Sequence, residues 1–415
     1  MENQVLVPSK GKSFLLVSES GRQEFWGSKH PPKSAQAQVV EYLQTLRGQD
    51  VRLLGIMGGP GQNIFVRAAS DLGISVWRIP WYRLEELAGL EAKASPTERA
   101  SAIRQAWEQN SSAFYQLEAL EPTIMLLREL TRVRLSIQEN FRKPANLQYQ
   151  SAWRELEVLL PEGEELISLR TFFSNPGFIS GAKKDEEELE RRIAPLVKEH
   201  PLWPYLHPNR DSVLPSVKGL GPSLGGSIIS EIGDIRRFPT RKSLRAYVRF
   251  HLNAEGEFPK RKAGEISAWN RYLNRAVHWW SSDQMPRYEH PWRLLYDWKK
   301  AREMQAHPKV VAREMVTKRG QKRTVYDYSL KHLDLRAKRW VGSQFLNYLW
   351  DLWQQMVQAG DLELWYSNSS WPAYFSRIER ELKDDLRAYL ETEIANRRRR
   401  EPEEELEENE KTGTV

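Results

Sequence analysis

Between Leu214 and Thr240 the chain reads LPSVKGLGPSLGGSIISEIGDIRRFPT, five glycines inside what is otherwise the pattern of a buried helix. A glycine in a helix interior costs roughly 0.5–1 kcal/mol relative to alanine, so Gly219, Gly221, Gly225, Gly226 and Gly233 need a compensating use of the backbone. Gly219 and Gly221 flank Leu220 in the spacing of a helix-hairpin-helix turn, where positive φ is available and the next helix starts near Pro222. Free N–H groups at that helix start suit a phosphate oxygen, which makes Gly219, Gly221 and Ser223 candidate nucleic-acid contacts. A tight helix entry explains the same spacing. Gly225 and Gly226 are expected to permit close helix packing.

The chain of 415 residues is long enough for two or three domains, and 40% hydrophobic with 11% aromatic residues it is expected to fold. No run reaches the length of a membrane span and no signal-peptide pattern opens the sequence, so a cytoplasmic protein is expected. Cysteine is absent, which excludes disulfides, thiol nucleophiles and thiolate metal sites. The eight histidines show no metal-ligand spacing, and no cofactor is expected. Formal charge is +7 although the terminal run EPEEELEENE is acidic, so the body is more basic than the total. That balance favours a polyanionic partner.

Residues 1–95 alternate between short strands and helices: three strands, then helix, strand, helix, strand, which is the order of an RNase H-like domain. Residues 96–213 read as a helical connector. From 214 to 358 follows a mostly helical domain dense in tryptophan, of which Trp279, Trp280, Trp292 and Trp298 are expected in its core. It includes two alternating runs around Gly320 that predict a basic hairpin with Lys318, Arg319, Lys322 and Arg323. Residues 359–396 predict a helical extension, and 397–415 a disordered charged tail. The expected fold class is α/β plus all-α.

The run SEIGDIRRFPTRKSLRAYV resembles the carboxy-terminal domain of transposases of the 110/116/902 group of bacterial insertion sequences. The match is carried by Glu231, Gly233, Asp234, Arg237, Phe238, Leu244, Ala246 and Tyr247, and continues through Gly264, Ile266 and Asn270. The resemblance implies an amino-terminal RNase H-like, resolvase-type domain. VLVPSKGKSFLLV, LLGIMGGPG and KASPTERA fall at that domain's landmarks, with Lys93 retained.

In the family this amino-terminal site is a set of carboxylates, and such a site holds divalent metal through oxygen ligands. Here the corresponding positions are Pro8, Met57, Ser95 and Glu98, so only Glu98 is acidic, and Mg2+ is expected only if the site is active. A register shift leaves Glu19 or Asp50 as substitutes. The family's nucleophilic serine falls on Glu257, and no serine lies between Ser243 and Ser267.

Three functions compete. The first is a transposase-derived protein that binds nucleic acid without strand-exchange chemistry. Its contacts would be the Gly219–Ser223 turn, the run Arg236, Arg237, Arg241, Lys242 and Arg245, the run Lys260, Arg261 and Lys262, and the basic hairpin. The resemblance implies DNA, a structured non-coding RNA on equal terms, no membrane, association with the nucleoid, and a dimer or tetramer. The second is an active transposase with displaced catalytic residues. The third is a scaffold using the tryptophan-rich segment as a protein interface.

Overall fold

The computed structural model describes residues 2–9, 13–29, 32–55, 62–79, 81–90, 94–117, 119, 121–139, 182–252, 259, 269–316 and 322–396. They form two compact units, one of residues up to Leu196 with Ile229–Gly233, the other of Val197–Ile228 and the described residues from Asp234 onward.

The first unit is built on a six-stranded sheet in the order β3-β2-β1-β6-β7-β8. β1 (Glu2–Pro8), β2 (Phe14–Ser18) and β3 (Gly21–Phe25) form an antiparallel meander, and a two-residue ladder of β4 (Ser28–Lys29) and β5 (Pro32–Lys33) follows it. β6 (Val51–Leu54) pairs parallel to β1, and β7 (Ser75–Arg78) parallel to β6. Gln4, Val5, Leu6 and Val7 are buried in succession because β1 is central and covered on both faces. On one face Tyr42 of α1 (Ala35–Thr45) donates to Gln4 Oε1 at 3.1 Å, and Phe65 of α2 (Gln62–Asp71) meets Phe14 edge-on. On the other, Val5, Val7 and Leu54 pack with Leu84 of α3 (Trp81–Ala88) and with Ala100, Ile103 and Ala106 of α4 (Pro96–Gln109).

The expected strand and helix order is present, but this layer does not stop at residue 95. α4 is one of its covering helices, and β8 (Tyr115–Leu117) closes the sheet antiparallel to β7. A three-residue strand leaves no periodic signal in a sequence. The helical pattern expected beyond it is seen in α5 (Pro122–Glu139) and α6 (Ala182–Glu199), which are joined through Arg134 to Glu186 and Glu190 at 2.8 and 2.6 Å.

The second unit is mostly helical. Its elements are α7 (Trp203–Leu206), α8 (Pro222–Ile232, its last turn counted with the first unit), α9 (Arg241–Val248), α10 (Arg271–Trp279), a π segment (Trp280–Gln284) and α11 (Pro291–Ala306). The hairpin β9 (Val311–Val316) and β10 (Lys322–Asp327) follows, then α12 (Leu330–Val357), α13 (Leu362–Asn368) and α14 (Trp371–Glu381). Trp280 and Trp292 are fully buried against Phe345, with centroids 4.4 and 5.6 Å away. Tyr348 and Phe375 each lie 5.4 Å from Trp292. Aromatic pairs of this geometry add about 0.5–1.5 kcal/mol each beyond their burial.

Trp279 and Trp298, expected in the core, are half-buried, because their indole N–H groups reach out to Asp283 and Glu381. The unit also overruns the boundaries expected at 214 and 359. Trp203 packs on α8, and Trp371 and Phe375 share the Trp292 cluster. Among the described residues no helix is long and apolar enough to cross a membrane.

His290, 9% exposed, places Nε2 3.1 Å from the Met285 carbonyl, and burial holds its pKa down at about 4. Burial likewise holds His200 at about 4. Both are neutral when folded, whereas the unfolded chain takes up their protons near pH 6.5. Stability is therefore full above pH 6.5 and is lost as pH falls toward 4. We expect His290→Gln to show a shallower fall in melting temperature across that window. An unchanged slope would contradict this assignment.

Candidate nucleic-acid interface

The glycines divide as geometry requires. Gly219 has φ +78°, and a Cβ there would meet Gln284 and Tyr288 at 3.0–3.1 Å, so the turn both needs the left-handed region and packs closely. Trp280 Nε1 donates to the Lys218 carbonyl at 3.1 Å and fixes the same turn. Gly221 is exposed, carries no positive φ and has open space where a Cβ would go, whereas Gly219 is half-buried. A Cβ at Gly225 would meet the Trp203 ring at 2.6 Å, which is close packing as expected, though against a four-residue helix. Residues 208–221 contain no helix. The turn therefore lacks the first helix of a helix-hairpin-helix directly before it, and the glycine spacing alone could not reveal that. Ser223 sits half-buried in the first turn of α8.

The basic run is split by its partners. Arg236 pairs with Asp234 at 2.8 Å, and Arg241 with the buried Asp351 at 2.5 Å. The Arg237 guanidinium lies over Phe238 and Tyr247, 5.4 and 5.6 Å from their centroids. Lys242 is exposed on α9. Arg245 has a buried Nε without a hydrogen-bond partner, and burial together with the Arg241 charge lowers its pKa. In the hairpin, Lys322 and Arg323 pair with Val316 and Met315 through the backbone. Lys260, Arg261, Lys262, Lys318 and Arg319 lie outside the described residues.

A second cationic group escaped the sequence reading. His251 has its pKa lowered by burial and then by Arg245 and Lys242. Burial and the Arg249 charge lower that of Arg339, and burial, Arg339 and Lys338 lower that of His278. Arg249 caps α9 at φ +63°, a conformation costing a non-glycine residue of order 1–3 kcal/mol. Nε of Arg249 donates to the Pro259 carbonyl at 2.5 Å, and the guanidinium lies 4.9 Å from the Trp269 ring centroid. Arg241 thus lies close enough to perturb Arg245, and Arg249 to perturb Arg339, while Lys242, Arg245, Lys338 and Arg339 act on the imidazoles of His251 and His278, which are neutral at pH 7. These residues are far apart in sequence, and no local spacing marks them.

Residues 211–297 match the sequence model of the transposase IS116/IS110/IS902 family. The chain carries a domain of this transposase family. No curated protein matches the chain.

The landmark residues of the transposase domain hold structure. Glu231, 1% exposed, receives Arg132 of α5 at 2.5 and 2.9 Å. Gly233, at φ +67°, ends α8 by donating its N–H to the Ile229 carbonyl. Asn270 caps α10 by accepting from Tyr272 and Leu273, and its Nδ2 donates to the Tyr247 hydroxyl at 2.9 Å.

Of the residues expected at the amino-terminal site, Pro8 ends β1, while Met57, like Lys93 and Glu257 of the other expected landmarks, lies outside the described residues. Trp107 of α4 lies under Arg52, and Ile103 lies against Gly55 one turn earlier, so α4 runs antiparallel to β6. Its N-terminus therefore points to the sheet end at which β1 stops. Ser95 and Glu98 stand there as a reciprocal cap: Ser95 Oγ accepts from the Glu98 N–H at 3.2 Å, and the Glu98 carboxylate accepts from the Ser95 N–H at 2.6 Å. That backbone bond holds the Glu98 carboxyl below its ordinary range. The two residues serve the helix start. Ser95→Ala is expected to destabilise the protein by about 0.5–2 kcal/mol in denaturant unfolding. A neutral result would remove the capping role.

Proposed function

We propose that the chain is a transposase-family nucleic-acid-binding protein that no longer carries out strand exchange. The observation that supports binding most directly is the placing of like charges side by side within the second unit, Arg241 by Arg245 and Arg249 by Arg339, where burial and then the neighbouring charge lower the pKa values of Arg245 and Arg339. Such a group is relieved by a phosphate backbone, whose negative charge offsets the mutual repulsion. Displaced counterions add to the gain. DNA is the partner implied by the transposase domain, and a structured RNA presents the same backbone. The arrangement positions a strand, and sequence readout is left to other groups.

The reading of the lost chemistry rests on residue types. In an RNase H-like interpretation of the first unit, Pro8 and Met57 offer no oxygen ligand, and Ser95 and Glu98 are engaged with each other. Glu257 stands where the family has a serine, and a carboxylate cannot form the phosphodiester link that a hydroxyl forms. An active enzyme with displaced residues would need all these roles relocated together.

Two measurements test the proposal. Converting Lys242, Arg245 and Arg249 to alanine together should weaken duplex binding and flatten the log affinity–log salt slope by up to about 2.7, at about 0.9 for each phosphate that the variant leaves without a cation. Unchanged affinity and slope in the folded variant would rule out this face. The unmodified protein, incubated with labelled oligonucleotide in Mg2+ or Mn2+, should yield no adduct that survives a denaturing gel. A covalent adduct would show that a nucleophile remains.

A further inference from the structure

Beside the cationic face, the second unit contains a cleft of about 570 Å3 between the segment that leads into α9, the end of α12, and the start of α14. Its size is that of a small-molecule site. Its walls include Arg236, Arg241, Trp350, Trp365, Gln355 and Gln358, which brings two guanidinium groups, two indoles and two carboxamides to one concavity.

Several of these groups are held in place before any ligand arrives. Asp351, 8% exposed, accepts from Nε of Arg241 at 2.5 Å and from Trp371 Nε1 at 2.9 Å, so one carboxylate on α12 fixes groups from α9 and α14. Asp351 engages Nε of Arg241, so the Nη groups of this half-exposed side chain keep the fork geometry that suits phosphate. Trp350 donates its indole N–H to the Phe238 carbonyl at 2.8 Å, which orients the ring. Gln358 is exposed at the rim, and Gln355 lies against Gly360, where a Cβ would have no room. Carboxamides present donor and acceptor together, as the edge of a nucleobase does.

We infer that this cleft receives one unpaired nucleotide of a single strand, with its base against Trp365 and the carboxamides and its phosphate on Arg241 and Arg236. The inference rests on the nucleic-acid-binding reading above and adds a ligand class to it. A duplex is excluded by its own stacking, because base faces inside a helix are covered and a cleft of this size admits only an extruded or unpaired unit. The two indoles supply stacking surfaces that any base accepts, and the guanidiniums, each anchored by a carboxylate (Asp234 for Arg236, Asp351 for Arg241), supply N–H donors to the phosphate, a combination that binds single strands without strict sequence preference.

The test compares strands of equal charge that differ in having bases. Oligothymidylate and oligouridylate of about 12 nucleotides, within the footprint of one single-strand-binding domain, are titrated against an abasic strand of the same length and a matched duplex. Wild-type protein should prefer the base-bearing strand over the abasic one by about 5- to 150-fold, the range measured for one stacked base. The two base-bearing strands show whether DNA or RNA is favoured. Trp365→Ala should lose most of that preference, and Trp365→Phe should retain it. Gln358→Ala, at an exposed position where truncation leaves the fold intact, should weaken only the base-bearing strand by about 2- to 12-fold. Equal affinity for base-bearing and abasic strands, or a preference untouched by Trp365→Ala and Gln358→Ala, would overturn the cleft assignment while leaving salt-dependent duplex binding in place. Absence of binding to every strand would overturn both.

Discussion

The second unit is organised by one helix. α12 runs uninterrupted from Leu330 to Val357, and α9, α10, α11, α13 and the π segment all pack against it. A helix that touches this many neighbours needs a wide apolar face, and Leu333, Ala337, Val341, Phe345, Leu346, Leu349 and Leu352 are buried along it. Gly342 belongs to the same requirement, since a Cβ there would collide with the Phe250 ring. Two of the polar groups on α12 carry the functional argument. Arg339 joins the cationic group near its middle, and Asp351 orders the cleft nearer its end.

Burial also explains why the charges are held together. An exposed arginine on a flexible side chain avoids its like-charged neighbours, whereas Arg245, Arg339 and His278 are partly buried and fixed by the helices that carry them. The Arg241 charge beside Arg245 and the Arg249 charge beside Arg339 are costs that the core of Trp280, Trp292 and Phe345 offsets. Arg249 adds backbone strain to that cost through its left-handed φ. Strain and like-charge contacts at one location are what the binding proposal builds on.

The sequence reveals part of this. The strand and helix order of the first unit, the hairpin around Gly320 and the helix start at Pro222 follow from periodicity and turn residues, which are local signals. The transposase domain is legible because its landmarks are structural: Glu231 in a buried ion pair, Gly233 at a helix end, and Asn270 as a cap. What stayed hidden is non-local. β8 is too short to show a period, the partners of Arg236 and Arg241 are set by the tertiary fold, and the convergence of Arg249 with Arg339 joins residues on different helices. The geometry of Glu98, expected from the sequence as the one acid kept at a family position, is that of a helix cap, which its residue type alone does not reveal.

The central claim is that the cationic face of α9, α10 and α12 is where nucleic acid lies. Photo-crosslinking of the full chain to a strand containing a photoreactive base, followed by peptide mapping, tests it most directly. The account predicts adducts on peptides spanning Arg236–His251, Arg275–Trp279 and Lys338–Arg339. Adducts confined to the first unit, or none above a non-binding control, would contradict it.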